Sequence, residues 1–309
     1  MFNMFFLIFN QLMKMLLIML LAFVCYKLKI VSQEGNKSIS NLLLMIVNPC
    51  IIIRAYQVDY DAHLVKGLLI SFGLAFAAHI IAIVIVRLLV PAKNNPDYFL
   101  DRFGAIYSNC GFIGIPLVYS VLGNEGVFYL TAYMATFNLF FWTHGLSLME
   151  NGFSLKQLKE GLLSPMIVST LAAICLFFAR LHIPSTILDS ISYVADTNTP
   201  LAMMVAGFSV AQADLRKVFT NLRLYWVSFL KLLIVPMAVT LFLSLARIDY
   251  TLAYTTLIAA ACPSSAAMTM MAIRYNKNYK YTSEIFSFTT MLSIVTIPIV
   301  TFFAGFLIK

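Results

Sequence analysis

Two hydrophobic segments broken by proline sit at matching places in the two halves of this chain, and they limit what it can fold into. The first is Ser108-Asn109-Cys110-Gly111-Phe112-Ile113-Gly114-Ile115-Pro116, the second Ala261-Cys262-Pro263-Ser264-Ser265-Ala266. Their surroundings are apolar: 61% of residues are hydrophobic and 11% charged, and the mean hydropathy is +0.89. Such a composition belongs to a polytopic membrane protein and excludes an ordinary soluble domain. In a bilayer each unpaired backbone amide or carbonyl costs several kcal/mol, so a helix is interrupted at membrane depth only where protein or a water-filled cavity takes over its hydrogen bonds. Interruptions paired between halves are the sequence mark of a carrier's substrate site.

Apolar runs of about 20 residues, the span of a hydrocarbon core, predict an all-α integral membrane fold of ten transmembrane helices. They cover Phe5–Tyr26, Ser38–Tyr56, Leu64–Val90, Phe99–Leu122, Val127–Met149, Leu162–Leu181, Ile187–Val210, Leu222–Ala246, Leu252–Tyr275 and Thr282–Ile308. Loops after odd-numbered spans carry Lys27, Lys29, Lys37, Arg87, Lys93, Arg102, Lys156, Lys159, Arg216, Lys217, Arg223, Arg274, Lys277 and Lys280. Loops after even-numbered spans and the termini carry only Arg54, Lys66, Arg180, Arg247 and Lys309. Basic residues stay on the cytoplasmic side, so both termini are expected outside, in a multi-pass protein of the cell membrane. The net charge of +8 is accounted for by this topology, and no nucleic-acid partner is implied. The apolar start is expected to be a span and not a signal peptide: no basic residue precedes it, no small-residue cleavage site follows, and Lys27 and Lys29 come after it. Cys25, Cys50, Cys110, Cys175 and Cys262 lie in or beside predicted spans without disulfide or zinc spacing and are read as packing residues.

Pro49 and Pro200 break the second and seventh spans, Pro116 and Pro263 the fourth and ninth. The separations are alike, 67 residues from Pro49 to Pro116 and 63 from Pro200 to Pro263. The second half (151–309) is therefore expected to repeat the first (1–150). Five spans per repeat is odd, so the halves must be inverted about an axis in the membrane plane, with alternating access around a central site.

The fourth span, with Asn109 seven residues before Pro116 and Gly114-Ile115-Pro116 closing the motif, resembles the auxin efflux carrier family, which includes bacterial permeases and plant carriers. Ala261-Cys262-Pro263-Ser264 followed by Arg274-Tyr275-Asn276 is similar to that family's second crossover helix and the turn after it. Ala195-Asp196 leading to Ala206-Gly207 is similar to its seventh helix, so the resemblance covers essentially the whole chain. It implies an elevator-type secondary carrier in which helices 1, 2, 6 and 7 form a scaffold. Helices 3–5 and 8–10 then carry the substrate, with broken helices four and nine crossing at the centre. A homodimer through the scaffold follows by analogy only. Half-helix ends present unpaired amides and a partial positive charge, so they can hold a carboxylate. By position Asn109 matches the family's binding asparagine, beside Cys110, Gly111, Gly114 and Pro116; its alternative role is to cap the broken helix. Ser264 and Ser265, after Pro263, either line the pocket or bond back to the i−4 carbonyl.

Three features depart from the plant pattern. The loop from Glu150 to Gly161 is short, no acidic residue lies between Lys66 and Arg87, and Met268 stands where the plant motif has a second proline. Auxin itself is not implied; a small organic anion such as a dicarboxylate is the expected substrate, by analogy with bacterial relatives.

Ionisable residues at membrane depth are expensive and mark function by default. Lys14, nine residues into the first span, either pairs with a carboxylate such as Asp196 or extends its stem to the outer face. Asp196 is the acidic candidate for coupling to H+ or Na+, or else caps a half-helix. Lys231, near the middle of the eighth span, either attracts the anion or pairs within the bundle. His79 and His144 are read as hydrogen-bonded structure. No motif of a nucleophile with its base, no metal site and no P-loop is present, so an enzyme and a cofactor are not expected. An anion channel and a non-transporting membrane sensor remain as alternatives to a carrier.

Overall fold

The computed structural model describes residues 2–92, 96–149, 155–213 and 215–308. Lys93, Lys309 and residues 150–154, with the expected boundary between repeats, lie outside the described residues, as do the side chains of Lys156, Arg216 and Lys217. Among the described residues every regular element is a helix, apart from one isolated β-bridge.

The first half contains α1 (Phe2–Lys27), α2 (Gln33–Ala55), α3 (Ala62–Leu89), α4 (Tyr98–Ile106) and α5 (Cys110–Met149). The second contains α6 (Leu155–Leu162), α7 (Pro165–Phe178), α8 (Ser185–Asp196), α9 (Asn198–Gln212), α10 (Leu215–Thr220), α11 (Leu222–Ala246), α12 (Tyr250–Ala261), α13 (Ala267–Arg274) and α14 (Tyr279–Leu307). Starts are set by short polar side chains. Asp61 accepts from the His63 amide at 2.8 Å, Asn221 from Arg223 at 3.1 Å and Asp249 from Thr251 at 2.9 Å, satisfying donors that a helix start leaves free.

Six helices are long and apolar enough to cross a bilayer unaided: α1 (its 5–27 part), α2, α3, α5, α11 and α14. The other expected spans are divided or short. The fourth becomes α4 plus the first arm of α5, the seventh becomes α8 and α9, the ninth becomes α12 and α13, and the sixth is the 14-residue α7. Within α5 the helix is broken by a kink at Gly123, whose φ of +66° and ψ of −156° suit only a residue without a Cβ.

Prolines explain a second local feature. Three of the four five-residue π turns end two residues before a proline: Leu43–Val47 before Pro49, Cys110–Gly114 before Pro116 and Leu230–Ile234 before Pro236. Proline has no N–H, and its ring crowds the carbonyl four residues earlier. A widened turn moves that carbonyl aside without ending the helix.

α1 packs along α9, and α2 packs against α7, α8 and α9; α3 lies along α5, and α12 contacts α5, α11 and α14. The α1–α9 contact is tight at Gly207, where a Cβ would fall 2.3 Å from the Met19 carbonyl oxygen and 2.8 Å from the Ala22 Cβ. Small residues permit this approach where lipid offers no hydrophobic drive for helix association.

Candidate functional site: the crossing of two broken helices

The broken segments meet. α12 stops at Ala261 because Pro263 cannot donate, and Cys262, the residue before it, is pushed to extended backbone (φ −56°, ψ 148°). Tyr107 after α4 is extended as well. The two stretches pair antiparallel: the Asn109 amide donates to the Pro263 carbonyl at 2.7 Å and the Ser265 amide to the Tyr107 carbonyl at 2.9 Å, around Ser108 and Ser264.

The remaining free groups are also accounted for. The Ser264 amide donates to Thr289 Oγ1 at 3.2 Å, and its hydroxyl donates to the Gly104 carbonyl in the last turn of α4 at 2.7 Å. The Ala260 carbonyl would bond the Ser264 amide in a continuous helix. It instead receives Lys231 Nζ at 3.1 Å and Ser108 Oγ at 3.3 Å, while Lys231 Nζ also donates to Ser108 Oγ at 2.5 Å. Lys231 rises from the π turn of α11 and is 0% exposed. Among the described residues no carboxylate lies within ion-pairing distance of it. The ammonium sits against the carbonyl end of α12, where a cation offsets the partial negative charge of the half-helix.

Asn109 is 5% exposed and opens α5. Its backbone carbonyl accepts from the Ile113 amide at 3.1 Å and the Gly114 amide at 3.3 Å. Its side chain makes no capping hydrogen bond, and Nδ2 is buried without an acceptor among the described residues. Cys110 and Pro116 are buried on the same helix start. Gly114 faces the other break, since a Cβ there would lie 3.4 Å from Cys262 Sγ. Gly111 faces α2 and α7, since a Cβ there would lie 3.4 Å from Met166 Cε and 4.0 Å from Asn48 Nδ2. The Ser265 hydroxyl accepts from the Ala267 amide at 3.3 Å, in the opening turn of α13. Neither serine hydroxyl bonds its i−4 carbonyl; Ser264 instead ties α4 to the second break.

Opposite Gly111, two asparagines beside prolines meet: Asn198 Nδ2 donates to Asn48 Oδ1 at 2.7 Å, leaving Asn48 Nδ2 and Asn198 Oδ1 buried without partners among the described residues. Farther along α2, Arg54 Nη1 donates to Asp196 Oδ1 at 2.6 Å and to the Ser192 carbonyl at 3.5 Å. Asp196 is thus paired with Arg54 and not with Lys14, which lies exposed on α1. The Arg54 guanidinium also stacks 4.9 Å from the ring centroid of Tyr119, on the first arm of α5.

The two histidines within the expected spans, His79 and His144, are hydrogen-bonded. His79 Nδ1 lies 2.7 Å from the Ala75 carbonyl and His144 Nδ1 2.9 Å from the hydroxyl of Tyr107 at the break. Toward the face that carries the basic loops, Asp101 accepts from Arg223 Nε and from the Tyr281 hydroxyl, each at 2.6 Å, and so ties α4, α11 and α14. On that face a cavity of about 570 Å³ opens between α1, α2 and α9 on one side and α13 and α14 on the other. Tyr26, Gln33, Gln212, Thr269, Lys280 and Glu284 line it.

Sequence reasoning missed Asn48, Asn198, Arg54 and the Asp101 cluster as site or support residues. The available signal for the first two was an asparagine one residue before Pro49 and another two residues before Pro200. For Arg54 and Asp101 no local signal existed.

An all-helical membrane protein whose two proline-broken helices cross, bonded backbone to backbone at buried depth, has the architecture of a membrane carrier. The chain matches the family described as membrane transport protein over residues 7–158 and 152–301. It belongs to that family, the auxin efflux carrier family that its motifs resemble. It is also similar to a protein of Methanothermobacter thermautotrophicus named as an uncharacterized transporter, 23% identical over 299 residues that cover 93% of this chain and 95% of the relative.

Proposed function

We propose that this protein is a secondary carrier that moves a small organic anion, a carboxylate, across the cell membrane. One observation carries the reading: the crossing holds a fully buried lysine, Lys231, with no carboxylate within ion-pairing distance among the described residues, bonded to the residue before Asn109, whose buried Nδ2 has no acceptor among them. A donor-rich, net positive site in a low-dielectric interior is stable when an acceptor-rich anion completes it. Asn109 Nδ2 and the amides at the start of α5 are the groups that would hold the carboxylate, and Lys231 would supply the charge from behind the crossing.

The mechanism we infer is an elevator. Spans one, two, six and seven (α1, α2, α7, α8 and α9) act as scaffold, and the remaining helices move as a bundle that carries the crossing. Ten spans in two inverted repeats and outward termini complete this reading. It is supported by the packing of α1 with α9 within the first group and of α3 with α5 and α12 within the second, and by the cavity between the two groups, which opens on the basic-loop face. That opening fits a conformation facing the cytoplasm.

Uptake of labelled malate, malonate and indole acetate into proteoliposomes, with and without imposed proton or sodium gradients, tests the reading. Saturable, counterflow-competent uptake of an anion supports a carrier, and the gradient that drives it names the coupling ion. Unsaturable flux would indicate a channel, and binding without flux a sensor.

A further inference from the structure

Arg54 has an open edge. Its Nη1 is taken by Asp196 and Ser192, but Nε and Nη2 are buried without an acceptor among the described residues, and the side chain is only 10% exposed. These two N–H groups lie side by side on one edge of the planar guanidinium, the geometry that binds both oxygens of a carboxylate at once. The group is held in place from two directions. Asp196 of α8 fixes the far edge and Tyr119 of α5 supports the face, so little rotamer freedom remains to be lost on binding.

Its position suits a second contact on the same substrate. Asn48 and Arg54 share α2, six residues or about 9 Å apart along the axis, and Asn48 Nδ2 lies 4.0 Å from where a Gly111 Cβ would stand. The Arg54 side chain reaches back toward that level, since Asp196 is two residues from Asn198, which bonds Asn48. Every group on this path left without a partner among the described residues, except Asn198 Oδ1, is a donor: Asn109 Nδ2, Asn48 Nδ2, Arg54 Nε and Arg54 Nη2. Two separated sets of donors, one on each side of the interface between α2 and α5, call for two separated sets of acceptors.

We propose that Arg54 is the residue that selects dianions: its Nε and Nη2 bind the second carboxylate of a dicarboxylate whose first carboxylate sits at Asn109. This rests on the carboxylate-carrier reading above. Substrate then bridges α2 and the start of α5, and the Nε–Nη2 edge of Arg54, whose other edge Asp196 takes, receives both oxygens only from a dianion's second carboxylate.

The test compares each of malonate, succinate and malate with its half-amide, which keeps size and polarity but has one charge fewer. Uptake into proteoliposomes is measured for wild type, Arg54→Gln and Arg54→Lys. The expected result is that wild type prefers the dicarboxylate. Arg54→Gln then raises its KM by roughly ten- to a hundredfold, the worth of a charge-assisted bidentate contact, and raises that of the half-amide, which offers Arg54 one neutral acceptor, by several-fold less. Arg54→Lys, which keeps charge but loses the fork, does not restore the preference. Retained half-amide uptake also proves that the variants fold. Equal effects on both substrate forms, no effect, a preference for monoanions in wild type, or loss of all uptake with a lowered melting temperature in both variants would overturn the assignment and leave the carrier reading standing. Absence of any carboxylate uptake by folded wild type would overturn both.

Discussion

Replacing Lys231 by Met separates what the buried ammonium does for stability from what it does for the anion. The two hydrogen bonds to Ser108 Oγ and the Ala260 carbonyl have a charged donor and contribute about 1.5–3 kcal/mol each. Against them stands the cost of keeping an ammonium away from water, also several kcal/mol. Methionine nearly fills the same volume, and the Ala260 carbonyl keeps the Ser108 hydroxyl at 3.3 Å, so stability should change by less than about 2 kcal/mol. Lys231→Ala is different. It removes three methylenes from a site that is 0% exposed, which at about 0.8 kcal/mol each plus the residual cavity gives about 3–5 kcal/mol of destabilisation. For binding, the relevant distance is from Nζ to an anion at Asn109. Nζ touches the side chain of the preceding residue, so that separation is roughly 7 Å, and at an effective dielectric constant of about 20 the attraction is about 2.4 kcal/mol. Its loss should weaken binding roughly fiftyfold. Thermal unfolding in detergent and uptake kinetics of a transported carboxylate, run on wild type and both variants, check the two parts. A Met variant that melts as early as the Ala variant would refute the stability argument. A Met variant that keeps the wild-type KM would refute the electrostatic one.

The remaining predictions concern the crossing and the α1–α9 contact. Asn109→Ala should abolish carboxylate uptake and leave the melting temperature nearly unchanged, because the side chain makes no capping bond; full uptake with wild-type KM would remove Asn109 from the site. Gly114→Leu should block transport, since its Cβ would already stand 3.4 Å from Cys262 Sγ and 3.3 Å from the Cys110 Cβ and its further carbons have nowhere to go; normal flux in that variant would show that the crossing has slack. Gly207→Val should lower stability by at least about 1–3 kcal/mol through overpacking, because a Cβ would lie 2.3 Å from the Met19 carbonyl oxygen; unchanged thermal unfolding would mean that α1 and α9 can part without loss.

Properties that depend on neighbouring residues were legible in the sequence. Hydropathy is summed along the chain, so the eighth span, Leu222–Ala246, has the same ends in sequence and structure, and the last differs by three residues at its start and one at its end. Proline acts on its own helix, so the breaks at Pro263 and before Pro116 were visible as well. Partners distant in sequence were not visible. The Ser264 hydroxyl bonds a carbonyl 160 residues away, and Asp101 meets Tyr281 across 180. Arg54 read as a loop charge at the end of a span because nothing local tells that its side chain turns back to Asp196. The same ignorance of direction left Lys14 as a candidate partner for that carboxylate. The seventh span was expected to break at Pro200, but its turn comes three residues earlier, at Thr197, where the apolar pattern carries no mark of it.

The bridge between Ser108 and Ser264 bears on how the protein is made. Each half of the chain contributes one strand of a pair that neither can form alone. When the first half has left the ribosome and entered the bilayer, the Asn109 amide and the Tyr107 carbonyl have no partners, because Pro263 and Ser265 have yet to be translated. Unsatisfied backbone at that depth is costly. The nascent first half is therefore expected to keep this segment near water or against the insertion machinery, and to settle at full depth only when α12 and the stretch after it arrive. A chain truncated before Ala261 would carry that open pair permanently, which makes it a substrate for membrane quality control and not a smaller carrier.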